Sequence, residues 1–185
     1  MGIDVYLEWD GMPERPEIKK SGDWDSPEYK KWSEWRFGKG IYLRESYHGE
    51  SYATEFLFRE AFEETNDGQL WGTKMTAMLT KMFGKNGAVD KLPDPALDAP
   101  KQKMERSKEV KEVKNSEGGV AYVFPSKLLK DRLVEAVKLA IERSMKLYGS
   151  SVQDANESAN EYVAFVAMLE KLESQGKNPR VVVSY

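Results

Sequence analysis

Residues 120–185 read VAYVFPSKLLKDRLVEAVKLAIERSMKLYGSSVQDANESANEYVAFVAMLEKLESQGKNPRVVVSY, and this stretch decides the fold class. Residues 120–124 form a short run of strand-forming residues that Pro125 and Ser126 break. The same Pro125-Ser126 pair is expected to cap a helix over about 127–148. Leu129, Leu133, Ala136, Val137, Ala140, Ile141 and Tyr148 recur there at helical spacing, and Gly149 ends it. Ser151 with Asp154 then opens a second helix over about 152–174, with Ala155, Ala159, Tyr162, Val163, Val166 and Leu169 as its apolar stripe. Gly176, Asn178 and Pro179 turn the chain into a closing strand, VVVSY. Two long helices in succession break strict strand–helix alternation, which points away from a parallel α/β sheet.

The rest of the chain fits the same scheme. Residues 3–9, IDVYLEW, alternate with Ile3, Val5, Leu7 and Trp9 on one side, which reads as a strand with one buried face. Asp10-Gly11 and Pro13 end it, and residues 11–26 read as a loop. Ser26-Pro27 caps a short helix over about 27–37, with Tyr29, Trp32 and Arg36 on one side and Trp35 adjacent. Residues 41–48 and 53–58 read as two strands around Gly49-Glu50-Ser51, and 70–83 as a helix with a Met75/Met78/Met82 core stripe. Residues 84–119, rich in proline and then in charge, are expected to be a mobile or exposed insertion. The expectation is one α+β domain over 1–185: a mainly antiparallel sheet with helices packed mostly on one face. The two consecutive C-terminal helices lead into a final strand inside the sheet, since VVV is too apolar for an open edge.

Composition narrows the function classes. The 185 residues contain no cysteine and one histidine, His48. Disulfides, thiol nucleophiles and cysteine zinc sites are excluded, as is a multi-histidine metal site within one chain, so no metal or cofactor is expected. A chain of this length without disulfides suits a reducing compartment, so a cytoplasmic setting is expected. No apolar run is long enough for a membrane span, and the opening MGIDVYLEWDG lacks the pattern of a secretory signal. The net charge of −3 argues against bulk nucleic-acid binding. No P-loop, GxGxxG, GxSxG or HExxH motif occurs.

The candidate site is YLRESYHGESY, residues 42–52. Arg44 and His48 share a face whether this stretch is strand or helix. A guanidinium beside an imidazole suits a phosphate or carboxylate, and Tyr47 and Tyr52 add hydroxyls and flat rings. A polar turn with Arg44 paired to Glu45 or Glu50 accounts for the same residues. Four of five tryptophans and five of nine tyrosines fall within the first 52 residues. Trp9 and the tryptophans of the first helix therefore offer walls for a planar ring, or else the core of the N-terminal half. Glu8 and Asp10, flanking Trp9, are candidate bases should the protein be an enzyme.

The segments GIDVYLEWDG, YLRESYHGESYAT and VVVSY resemble a group of bacterial and phage proteins that share a GIDVY-x-x-WDG start and a YLRE-x-YHG segment. Ile41 departs from the glycine of that pattern, and residues 84–119 fall outside it. The resemblance singles out Arg44, Tyr47, His48 and Tyr52 and implies no reaction. Three functions are thus in view. The leading one is non-enzymatic binding or sequestration of a small anionic, nucleotide-like ligand by Arg44, Tyr47, His48, Tyr52 and Trp9. The alternative is a hydrolase or phosphoesterase using His48 and Arg44, with Glu8 or Asp10 as helper. The third is a protein-interaction domain with the charged 101–117 segment as its arm. A homo-oligomer is left open.

Overall fold

The computed structural model describes residues 2–19, 21–46, 51–62 and 106–184. Strands β1 (Gly2–Glu8), β2 (Tyr42–Ser46), β3 (Lys111–Lys114), β4 (Val120–Val123) and β5 (Arg180–Ser184) form one sheet in the order β2-β1-β5-β4-β3. Every pairing is antiparallel. The α-helices among the described residues are α1 (Pro27–Arg36), α2 (Ser51–Leu57), α3 (Ser126–Tyr148) and α4 (Val152–Ser174). The fold is α+β, with two consecutive C-terminal helices and a last strand that lies between β1 and β4, as the VVV run requires.

Alternation in β1 sorts the two faces of the sheet. Ile3, Val5 and Leu7 are fully buried and join Leu129, Ala136, Phe165, Val166 and Leu169 of the long helices in one core. Phe58 anchors this core by edge-on contacts with Phe124 and Phe165, at 5.6 and 5.5 Å between ring centres. The opposite face of β1 meets the end of α1. There the Arg36 guanidinium lies 4.3 Å from the centre of the Tyr6 ring, and Phe37 packs on Tyr6 and Tyr42. Two caps fall where the sequence puts them: Ser26 Oγ accepts from the Tyr29 N–H, and Ser151 Oγ from the Asp154 N–H. The cap expected at Pro125-Ser126 differs: Ser126 is already the first residue of α3, and Pro125, with no side chain able to accept, holds the cap position.

One element differs from the expectation. Residues 53–58 are helical, as most of α2 and the turn after it, instead of a strand. The buried set explains why: Ala53, Leu57 and Ala61, with Thr54, Phe58 and Phe62, repeat every four residues, a helical period. Within the segment expected to be a mobile or exposed insertion, the charged KEVK run forms the exposed edge strand β3. Its hairpin to β4 is closed by Asn115, whose Oδ1 accepts from the N–H groups of Glu117 and Gly119, with Gly118 at φ +84°. The expected helix over 70–83, the turn at Gly49-Glu50 and residues 84–105 lie outside the described residues.

The turn into β2 depends on one glycine. Gly40 has φ +83°, and a Cβ there would meet the Ala164 carbonyl oxygen of α4 at 3.0 Å. Both the backbone conformation and the close approach exclude a side chain. Gly40→Ala is expected to lower stability by about 1–3 kcal/mol. Urea unfolding should show a lower midpoint at unchanged slope, and an unchanged midpoint would refute the close approach.

Candidate functional site

The sequence-predicted residues do not form one site among the described residues. Tyr47 and His48 lie outside them, and of Tyr52 only its place in the first turn of α2 is described. Arg44 sits on edge strand β2, exposed, with its Nε 3.8 Å from Asp4. Tyr42 donates to the same carboxylate at 2.6 Å, and burial together with this hydrogen bond pushes the Tyr42 hydroxyl far above the usual tyrosine range. Asp4 thus offsets part of the pull Arg44 would exert on an anion. Trp9 belongs to the core, packed edge-on against Trp35 at 5.5 Å.

Glu8 is buried and its carboxylate is fully engaged. Ser116 donates to it twice, from its N–H to Oε2 and from its hydroxyl to Oε1, both at 3.0 Å. Arg180 lies 3.5 Å away and Arg36 3.8 Å, the latter also donating to the Leu7 carbonyl. Asp10 is exposed and accepts from Asn178 and Arg180, which hold its carboxyl below the usual range. These contacts tie β1, α1, the β3–β4 turn and β5 together. A carboxylate with both oxygens occupied in this way is poorly placed to take a proton from a substrate.

A second polar cluster borders open space. A cavity of about 430 Å³ lies beside the 3₁₀ turn Arg59–Ala61, on the face of β4 and β5 that carries Tyr122 and Val183. Phe62, Val120, Tyr122 and Val183 supply its apolar lining, and Glu60, Arg106 and Ser184 its polar one. Glu60 is buried and gripped by Arg132 of α3, Nη2 to Oε1 at 2.6 Å and Nη1 to Oε2 at 2.8 Å. The Ser107 N–H adds a bond at 2.8 Å, and Arg59 Nε stands 3.9 Å away. Arg132 also donates to the Leu57 carbonyl at 3.0 Å, and Arg106 donates to the carbonyl of Phe62. Burial pushes the Glu60 carboxyl up, but the hydrogen bonds from Arg132 and Ser107 outweigh it and hold the group below the usual carboxylate range. Arg132 and Arg59 therefore gather on one carboxylate at the edge of a cavity that Arg106 also lines.

Sequence reasoning passed over Glu60, Arg106 and Arg132. One signal was present. Arg132 stands three residues after Leu129 and four before Ala136, inside the buried spine of α3, where a charge needs a buried partner.

Among the described residues, no group of three or more acidic or histidine side chains is arranged to hold a metal ion, and no helix is long and apolar enough to cross a membrane. No family model matches the chain, and neither the curated proteins nor the solved structures include a significant match. Geometry and chemistry alone therefore carry the functional reading.

Arg132→Met tests the clamp on Glu60. It leaves a buried carboxylate without its bidentate partner, so about 3–5 kcal/mol of stability should be lost at pH 7. Because the folded-state carboxyl lies below its unfolded value of about 4.3, its contribution in the wild type is complete above that pH. The contribution is lost as pH falls through the lowered folded value. In the variant the carboxylate protonates at higher pH, so the gap to wild type should narrow between pH 7 and pH 4. Urea unfolding at the two pH values reads this, and a gap independent of pH would contradict it.

Proposed function

We propose that this protein binds a small anionic ligand without turning it over, in the cavity beside Arg59–Ala61. The supporting observation is the cavity lining: Arg106 stands at an apolar wall that includes a tyrosine ring, beside the Glu60–Arg132 pair. A volume of about 430 Å³ falls within the range of small-molecule sites. In this reading Arg106 and the Ser184 hydroxyl engage a phosphate or carboxylate, while Phe62, Tyr122 and Val183 take the apolar or ring part of a nucleotide-like molecule. The anion contact thus moves from Arg44, which faces Asp4, to Arg106.

The test begins with protein purified at low ionic strength, denatured, and analysed by mass spectrometry for released small molecules. A near-stoichiometric phosphate or carboxylate compound is expected from the wild type. Loss of a charged hydrogen bond, about 1.5–3 kcal/mol, should reduce retention by Arg106→Ala at least tenfold. Val120→Trp, which fills the mouth, should retain little. Far-UV circular dichroism checks that both variants keep the fold. Full retention in both would place the ligand elsewhere, and conversion of the released compound on incubation would show an enzyme instead of a binder.

A further inference from the structure

The loop after β1 places a cation among aromatic rings, away from the cavity. The Arg15 guanidinium carbon lies 5.7 Å from the ring centre of Trp24 and 5.7 Å from that of Trp32. Tyr29 stands against both indoles, 5.0 Å from Trp24 at 81° and 5.6 Å from Trp32 at 40° between planes. Glu117, from the β3–β4 turn, approaches the same guanidinium at 3.7 Å. Two indole rings and a carboxylate thus face one position, with Tyr29 packed against both indoles, and that position holds a positive charge.

The walls are set by the fold and not by Arg15. Tyr29 and Trp32 project from one side of α1 at i and i+3, on a helix fixed by its Ser26 cap. Trp24 belongs to the 3₁₀ turn Ser21–Asp25, whose Asp23 carbonyl accepts from the Ser26 N–H. Arg15, by contrast, comes from a stretch without regular structure, and its side chain is 46 % exposed. Trp24 is also 46 % exposed, so a large aromatic ring reaches water beside the charge it faces. Of the other charges on these elements, Asp25 pairs with Lys30, and Asp23 accepts from the Lys19 N–H.

We propose that Trp24, Tyr29, Trp32 and Glu117 form a binding site for a guanidinium group supplied from outside the chain, which Arg15 occupies in cis. An incoming guanidinium displaces Arg15 and takes over both ring contacts and the pairing with Glu117. Internal competition lowers the apparent affinity of the intact protein by the fraction of time Arg15 is seated.

Methylguanidinium is the probe, followed by the ring-current shift of its methyl protons in NMR. Arg15→Ala should give a saturable upfield shift. The wild type should bind roughly fivefold or more weakly, since each ring contact it must exchange has the strength of an exposed cation–π pair. Arg15→Ala/Trp32→Leu should give no saturable shift. Arg15→Gln, which keeps the packing of the stem, replaces Arg15→Ala if that variant does not fold. A short arginine-containing peptide forms the second arm. Tighter binding than methylguanidinium would point to an arginine of a partner chain, and equal binding to a free small molecule. No saturable shift in a folded Arg15 variant, or an equal shift in the double variant, would overturn the proposal and leave Arg15 as a pin for its own loop.

Discussion

The bidentate grip of Arg132 on Glu60 is the constraint on which the candidate site depends. One guanidinium ties three pieces of chain together: α3, which carries it; the end of α2, whose Leu57 carbonyl it caps; and the 3₁₀ turn that holds Glu60. The Ser107 N–H brings the segment that leads into β3 to the same carboxylate. A buried pair of this kind contributes little net stability over well-packed apolar residues, although breaking it is costly. Its effect here is positional. It sets Phe62, whose carbonyl accepts from Arg106, at the wall of a cavity that both residues line.

The Glu8 cluster shows the contrast. It has the same ingredients, a buried carboxylate and two arginines, but Ser116, Asp10 and Asn178 close it on every side. Its work is to fasten the ends of β1 and β5 to the β3–β4 turn and to α1. The same contacts bear on the 101–117 segment, the contact arm in the interaction-domain alternative. Within it, β3 is the edge of the sheet and Ser116 is the main hydrogen-bond donor to Glu8. Deleting the segment would strip an edge and uncover a buried carboxylate, so the result would report on folding and not only on a partner.

Much of the fold was legible because its signals are local. The Ser26 and Ser151 caps, the Gly149 stop and the alternation of β1 each depend on a few neighbouring residues, and all are present. The misreadings arose where the deciding information is tertiary. Residues 53–58 carry aromatic and β-branched side chains that suit a strand, and their helical period shows only when Ala61 and Phe62 are counted with them. Val163 fits the stripe of α4 by composition, but the buried spine runs through Ala155, Ala159, Tyr162, Val166 and Leu169, which leaves it 43 % exposed. The KEVK run is a strand because β4 offers it hydrogen bonds, with Val113 its sole apolar side chain. The pairing of Glu60 with Arg132 spans 72 residues, a separation no local pattern encodes. The aromatic richness of the N-terminal half was plain, yet its division into a core pair, Trp9 with Trp35, and a surface group around Arg15 needed coordinates.

The central claim is that the cavity beside Arg59–Ala61 holds an anion through Arg106. A crystal structure of the protein purified from its native host, in buffer free of phosphate and carboxylates, tests this most directly. The account predicts electron density for a bound molecule with an anionic group within hydrogen-bonding distance of the Arg106 guanidinium and its apolar part against Tyr122 and Val183. A cavity filled by the chain's own side chains, or ordered water alone beside an Arg106 turned away, would contradict it.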